Sequence, residues 1–177
     1  ACRTLDDNEL VFANATQVYN NLGGQGPETA DPPIIRFGGV GADANGNAFD
    51  LVVSNTSAYY PSNTAANGRQ TYFGQINMAD TSPVGLHFAF VDSVNGAPIE
   101  LKRFTFSFFD LDLIDPVTGS GRECLTIQDT EWSSYRMSDR TVNSSKVVQM
   151  LPGNTTEVSI TEENGETAFC ATQFGTG

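Results

Sequence analysis

Hydrophobic and polar positions alternate in short runs along most of this chain. Val84, Leu86, Phe88 and Phe90 take every second place, so an extended chain puts them on one face and His87 on the other. The strongest run is Phe104-Thr-Phe-Ser-Phe-Phe-Asp-Leu-Asp112, in which Phe104, Phe106 and Phe108 share a face with Asp110 and Asp112. That spacing predicts a strand running from core to rim and ending in two carboxylates. A turn over residues 115–121 and a second run over 123–128 complete a predicted central hairpin. Further strands are predicted over residues 34–37, 47–53, 70–77, 99–102, 133–138, 146–150, 155–160 and 166–172, with Gly38-Gly-Val-Gly41 breaking the first of these. Asn45-Gly46, Asn67-Gly68, Asn95-Gly96 and Glu162-Glu-Asn-Gly165 supply turns. No window of a dozen residues carries a period of 3.6, so helices are expected to be few and short. About ten strands at spacings of about 8–15 residues predict an all-β domain, a two-sheet β-sandwich of jelly-roll type.

The leading residues differ from the rest. Residues 9–13 and 16–19 are two short extended pieces, followed by Asn20-Asn-Leu-Gly-Gly-Gln-Gly-Pro27 and the stiff Asp31-Pro-Pro33. This divides the chain into an N-terminal strand arm with a Gly/Pro linker, residues 1–33, and a sandwich, residues 34–177. Such an arm has two readings: an edge strand of its own sheet, or a strand added to the sheet of a neighbouring copy. Leu10, Val11, Phe12, Val18 and Tyr19 are its assembly residues in the second reading.

Composition narrows the function. The formal net charge is −12 and Lys102 and Lys146 are the only lysines. That argues against nucleic acid, whose phosphates call for Lys and Arg patches, and against anionic membrane surfaces. No run reaches the roughly 18 apolar residues of a membrane span, so no membrane insertion is expected. The chain begins at Ala1 rather than Met, an end that signal-peptide cleavage after a small residue would leave. Asn14, Asn55, Asn143 and Asn154 head Asn-x-Ser/Thr sequons. Of the three cysteines, Cys124 and Cys170 fall in predicted strands and suit a disulfide, which leaves Cys2 for an intermolecular bond or a free thiol. Cys2 bonded to either of the others is the competing pairing. Together these features point to a secreted or cell-surface glycoprotein.

Catalytic chemistry is thinly represented. His87 is the single histidine and is expected on the solvent side of its strand. There is no Gly-x-Ser-x-Gly elbow and no phosphate loop. Asp110 and Asp112 are too close in sequence to flank a sugar ring, so a glycosidase would need Asp50 or Glu123 as the second carboxylate. An enzyme is therefore not expected. Asp110, Asp112, Asp115 and Glu123 are hard oxygen donors near one strand end and form a candidate calcium site, with loop carbonyls filling the remaining positions. The bland alternative has these carboxylates capping loop amides or pairing with Arg103, Arg122 or Arg136. Tyr59, Tyr60, Tyr72, Trp132 and Tyr135 are candidates for a glycan-stacking platform, though aromatics near loops more often pack.

The run Phe104 to Asp112, followed by Gly121-Arg-Glu-Cys-Leu-Thr-Ile-Gln128, resembles the central F-x-F-x-D-x-D … E-x-hydrophobic signature of bacterial surface-anchored jelly-roll modules of the choice-of-anchor or PEP-CTERM type. The likeness covers roughly Leu101 to Gln128, and the closing hairpin is similar to those of extracellular adhesin modules. This resemblance implies a structural or binding role rather than catalysis. The expected function is an extracellular structural glycoprotein that assembles with copies of itself into a filament or matrix by N-terminal strand addition. The alternative is a calcium-dependent carbohydrate-binding module.

Overall fold

The computed structural model describes residues 3–5, 10–80, 82–108, 111, 113–115, 118, 120–134, 136–137, 140–141 and 158–171. The fold is all-β and consistent with a β-sandwich: among these residues the regular elements are strands and single 3-10 turns. None of the described helical segments is long and apolar enough to cross a membrane. The chain forms two compact units, Ala1–Phe106 and Ser107–Gly177. The expected arm, residues 1–33, falls inside the first of these.

The first unit contains β1 (Arg3–Leu5), β2 (Thr16–Asn20), β3 (Ile35–Ala42), β4 (Ala48–Asn55), β5 (Gly68–Gln70), β6 (Phe73–Gln75), β7 (Leu86–Asp92) and β8 (Pro98–Leu101). Six of them form one sheet in the order β1-β8-β7-β4-β3-β2, while β5 and β6 make a separate hairpin. Neighbours are antiparallel except β1, which lies parallel to β8. The alternation over β4 and β7 does what two-residue periodicity requires. Phe49, Leu51, Val53 and Phe90 are buried on one face, and His87 is exposed on the other. Ile35, Phe37, Ile99 and Leu101 join that face, and Leu10, Phe12, Ile76, Val84, Leu86, Phe88 and Phe106 pack against it. Each fully buried Leu, Ile or Phe contributes about 1.5–3 kcal/mol.

Three expectations are corrected here. Gly38-Gly-Val-Gly41 does not end β3. The strand passes through it with a register shift, Phe37 facing Leu51 but Gly41 facing Phe49. Small residues are needed because Gly39 has φ +68 and a Cβ on Gly41 would overlap the Phe49 ring. Residues 104–108 are not a strand, and Phe104 and Phe108 are 42% and 44% exposed. No described strand pairs with this segment. Phe104 and Phe106 instead pack their rings on β7, Phe104 edge-on to Phe90 at 5.3 Å and Phe106 tilted against Phe88 at 5.3 Å between ring centres. The floor of the core belongs to β4 and β7. Finally, the extended piece expected over residues 9–13 does not run through its end: Val11 is extended, but Phe12–Asn14 is a 3-10 turn.

The second unit contains β9 (Leu113–Asp115), β10 (Ser120–Arg122), β11 (Cys124–Gln128), β12 (Arg136–Met137), β13 (Arg140–Thr141), β14 (Val158–Glu163) and β15 (Glu166–Ala171). β11, β15 and β14 form a three-stranded antiparallel sheet with β15 in the middle, and the rest are two-stranded pairs. Asn164 (φ 55) and Gly165 (φ 81) make the tight turn that sets the β14–β15 register.

Candidate functional site

The assembly residues expected from the sequence lie in the N-terminal segment, beside β3 at one end of the six-stranded sheet. Residues 10–20 are docked in their own unit. Thr16 to Asn20 pair with β3 from Gly38 back to Ile35, and Val11 N–H donates to the Val40 carbonyl at 2.8 Å. The Phe12 ring meets Phe37 edge-on at 5.2 Å, and Ala15 and Leu22 are buried in the core. The side facing away from β3 is tied as well. Arg69 Nη2 donates to the Ala13 carbonyl at 2.7 Å and its Nε to the Phe12 carbonyl at 3.3 Å. Gln17 Oε1 accepts from Arg69 N–H at 2.9 Å, and Asn20 Nδ2 donates to the Asn67 carbonyl at 3.0 Å. Of the five assembly residues, Leu10 and Phe12 therefore pack on the core and Tyr19 is half-buried. Only Val11 and Val18, at 36% and 39%, keep an exposed side chain.

Two buried polar clusters hold this arrangement. Asp50, 3% exposed in its side chain, sits opposite the β3 bulge. It forms an ion pair with Arg36 at 2.6 Å, accepts from Gly39 N–H at 2.8 Å and accepts from Ser93 Oγ. A buried carboxylate is tolerable when its lone pairs are filled in this way. The Asp50 carboxylate is thus engaged at the bulge by Arg36, Gly39 and Ser93. The second cluster centres on Tyr59, whose hydroxyl donates to the Asn77 carbonyl at 2.5 Å and accepts from Asn67 Nδ2 at 2.9 Å. Asn67 Oδ1 in turn accepts from Asn77 N–H at 2.7 Å. Burial pushes the Tyr59 phenol above its ordinary value, partly offset by the hydrogen bond with Asn67. Tyr59 is thus a core residue rather than part of a glycan platform. Tyr60 and Tyr72 are 62% and 74% exposed, Trp132 is half-buried in the second unit, and Tyr135 lies outside the described residues.

At the other end of the sheet stands β1. Arg3, Thr4 and Leu5 face Ile99, Glu100 and Leu101 of β8. The composition of residues 1–9 gave no sign of this short parallel strand, which the sequence reading missed.

The remaining site residues are placed as follows. Cys124 and Cys170 face each other across β11 and β15 and form a disulfide. Asn14 is exposed at the end of its 3-10 turn. Asn55 is half-buried at the end of β4, with Nδ2 donating to the Ser57 carbonyl at 2.8 Å. Of the calcium donors, Asp115 lies in β9 opposite Ser120, and exposed Glu123 precedes β11, where its carbonyl accepts from Ala171 N–H at 3.0 Å. Asp110 and Asp112 lie outside the described residues, as do Cys2, Asn143 and Asn154. Among the described residues no group of three or more His, Cys, Asp or Glu is arranged to hold a metal ion. Comparison with protein-family models, with curated proteins and with solved structures finds no match.

Proposed function

We propose that this protein is a non-catalytic extracellular structural module that associates with copies of itself through the open end of its six-stranded sheet. The observation that carries this reading is the three-residue parallel strand β1 at the sheet end beside β8. A sheet end presents unpaired backbone donors and acceptors that another chain can match. Such a short strand, paired in the weaker parallel manner, guards that end lightly. The Cys124–Cys170 disulfide supports an oxidising compartment. Sequons at Asn14, Asn55, Asn143 and Asn154 support a glycoprotein.

The docking of residues 10–20 moves the proposed contact from Leu10, Val11, Phe12, Val18 and Tyr19 to the sheet end at β1, within the same arm. Deleting residues 1–30 would strip Ala15 and Leu22 from the core, so the test uses the full chain. Negative-stain imaging of the purified protein is expected to reveal particles of several copies, closed or filamentous. A field of single-chain particles at every concentration overturns the proposal.

A further inference from the structure

We propose that Asn14 carries an N-linked glycan while Asn55, the other sequon among the described residues, stays bare, an assignment that rests on the secreted-glycoprotein reading above. The two sites share a motif, Asn14-Ala-Thr16 and Asn55-Thr-Ser57, and differ in what the fold does with them. Asn14 closes the Phe12–Asn14 turn. That turn is fixed through its backbone: Ala15 N–H donates to the Phe12 carbonyl at 3.1 Å, and Arg69 Nη2 to the Ala13 carbonyl at 2.7 Å. Phe12 packs against the core and Ala15 is buried in it, while Asn14 and Thr16 are both exposed. The amide and the hydroxyl that a glycan transferase must engage are therefore both open to water.

The Asn55 sequon is engaged by the fold. Asn55 is half-buried, and its Nδ2, the atom that would bear the sugar, donates to the Ser57 carbonyl at 2.8 Å. Its Oδ1 lies 3.4 Å from where a Cβ on Gly23 would stand. The Ser57 hydroxyl accepts from Gly85 N–H at 2.8 Å, and Thr56 N–H donates to the Gly85 carbonyl at 2.7 Å. This sequon thus clasps the segment that enters β7, with its amide and its hydroxyl both in use. The modification at Asn14 is a group transfer from an oligosaccharide carried on a lipid pyrophosphate. The C1–O bond to phosphate breaks and a C1–Nδ2 bond forms, Nδ2 gives up one proton and the lipid pyrophosphate leaves. A glycan here also covers apolar surface. Val11 and Val18 are exposed on either side of Asn14 in sequence, and β2 is an end strand of its sheet.

The test expresses the full chain behind a signal peptide in a eukaryotic secretory cell line. Peptides of the secreted protein are mapped by mass spectrometry before and after peptide-N-glycosidase treatment in heavy-oxygen water. The expected result is a glycan on Asn14 in most secreted chains and an unmodified Asn55. Asn14→Gln and Thr16→Ala should each shift the gel band down by one glycan, and Thr16→Ser, which keeps the sequon, should not. A bare Asn14, or a glycan on Asn55, overturns the proposal. Secreted chains bare at every sequon overturn the glycoprotein reading with it. Light scattering on the same material reads self-association separately, so multicopy particles with a bare Asn14 sink this proposal alone. For the covering role, an apolar dye should fluoresce more with Asn14→Gln than with the parent, and less again once Val11→Ser and Val18→Ser are added. Equal signals from all three overturn that role.

Discussion

The two units of this molecule reach stability by different routes. Unit Ala1–Phe106 has a continuous apolar core, in which Leu22, Ile35, Val40 and Phe49 are fully buried, and two buried polar clusters that fix its loops. Among the described residues, Ser107–Gly177 buries far less: Leu113, Phe169, Ala171 and the polar Thr167, whose hydroxyl donates to Asp129 Oδ1 at 2.6 Å. It adds a covalent link between β11 and β15 instead. A small core leaves little surplus over chain entropy, and a disulfide offsets that deficit by restricting the unfolded chain. The contrast teaches that the first unit is sensitive to loss of a buried polar partner and the second to reductant. Trp132, the only tryptophan, lies in the second unit, so its fluorescence reads that unit selectively.

The largest expected effect is on the first unit. Asp50→Ala leaves the Arg36 guanidinium without its carboxylate and Gly39 N–H without an acceptor. We expect a loss of about 3–5 kcal/mol by calorimetry, with the Trp132 transition unmoved. A comparable fall in both transitions would break the comparison. Next, Cys170→Ser, or dithiothreitol, should lower the Trp132 transition by about 2–4 kcal/mol and leave the first unit folded.

A smaller effect is expected for Tyr59→Phe, which strips the hydroxyl from Asn67 and the Asn77 carbonyl and should cost about 1–3 kcal/mol. It also carries a pH signature. Because the folded-state pKa of Tyr59 is raised, its stabilisation is complete below the unfolded value of about 10 and is lost as pH rises through and above it. Denaturant titrations of the phenylalanine variant should lack that part of the alkaline decline. The smallest effect is a gain. Thr71 has φ +38 in the β5–β6 turn, a region a β-branched residue adopts only under strain. Thr71→Gly should stabilise the first unit by up to about 1 kcal/mol, and a measured loss would sharpen the account toward a packing role for its side chain.

Much of the first unit was legible in the sequence. Strict alternation over residues 84–91 and 47–53 fixes both the strand and its inward face, because a two-residue period has only one way to bury Phe49, Leu51, Phe88 and Phe90 together. The β14–β15 turn was legible for a local reason: Asn-Gly favours the positive φ that Asn164 and Gly165 adopt. Other features needed tertiary information. The Phe104–Phe108 alternation is as regular as any, yet a strand needs a neighbour as well as a pattern, and β4 and β7 had already formed the core floor. Gly38-Gly-Val-Gly41 looked like a break because the sequence does not reveal Asp50 standing opposite to hold a bulge. The Cys124–Cys170 pairing followed from two predicted strands. β1 left no signal, since three residues of mixed polarity carry no period. Asp110 and Asp112, the heart of the calcium reading, lie outside the described residues.

Self-association is the claim on which the functional reading depends. Light scattering on the full, oxidised chain over about a hundred-fold range of concentration tests it most directly. The account predicts a mass that climbs with concentration to two or more chains and falls back on dilution. A mass fixed at that of one chain throughout the range contradicts it.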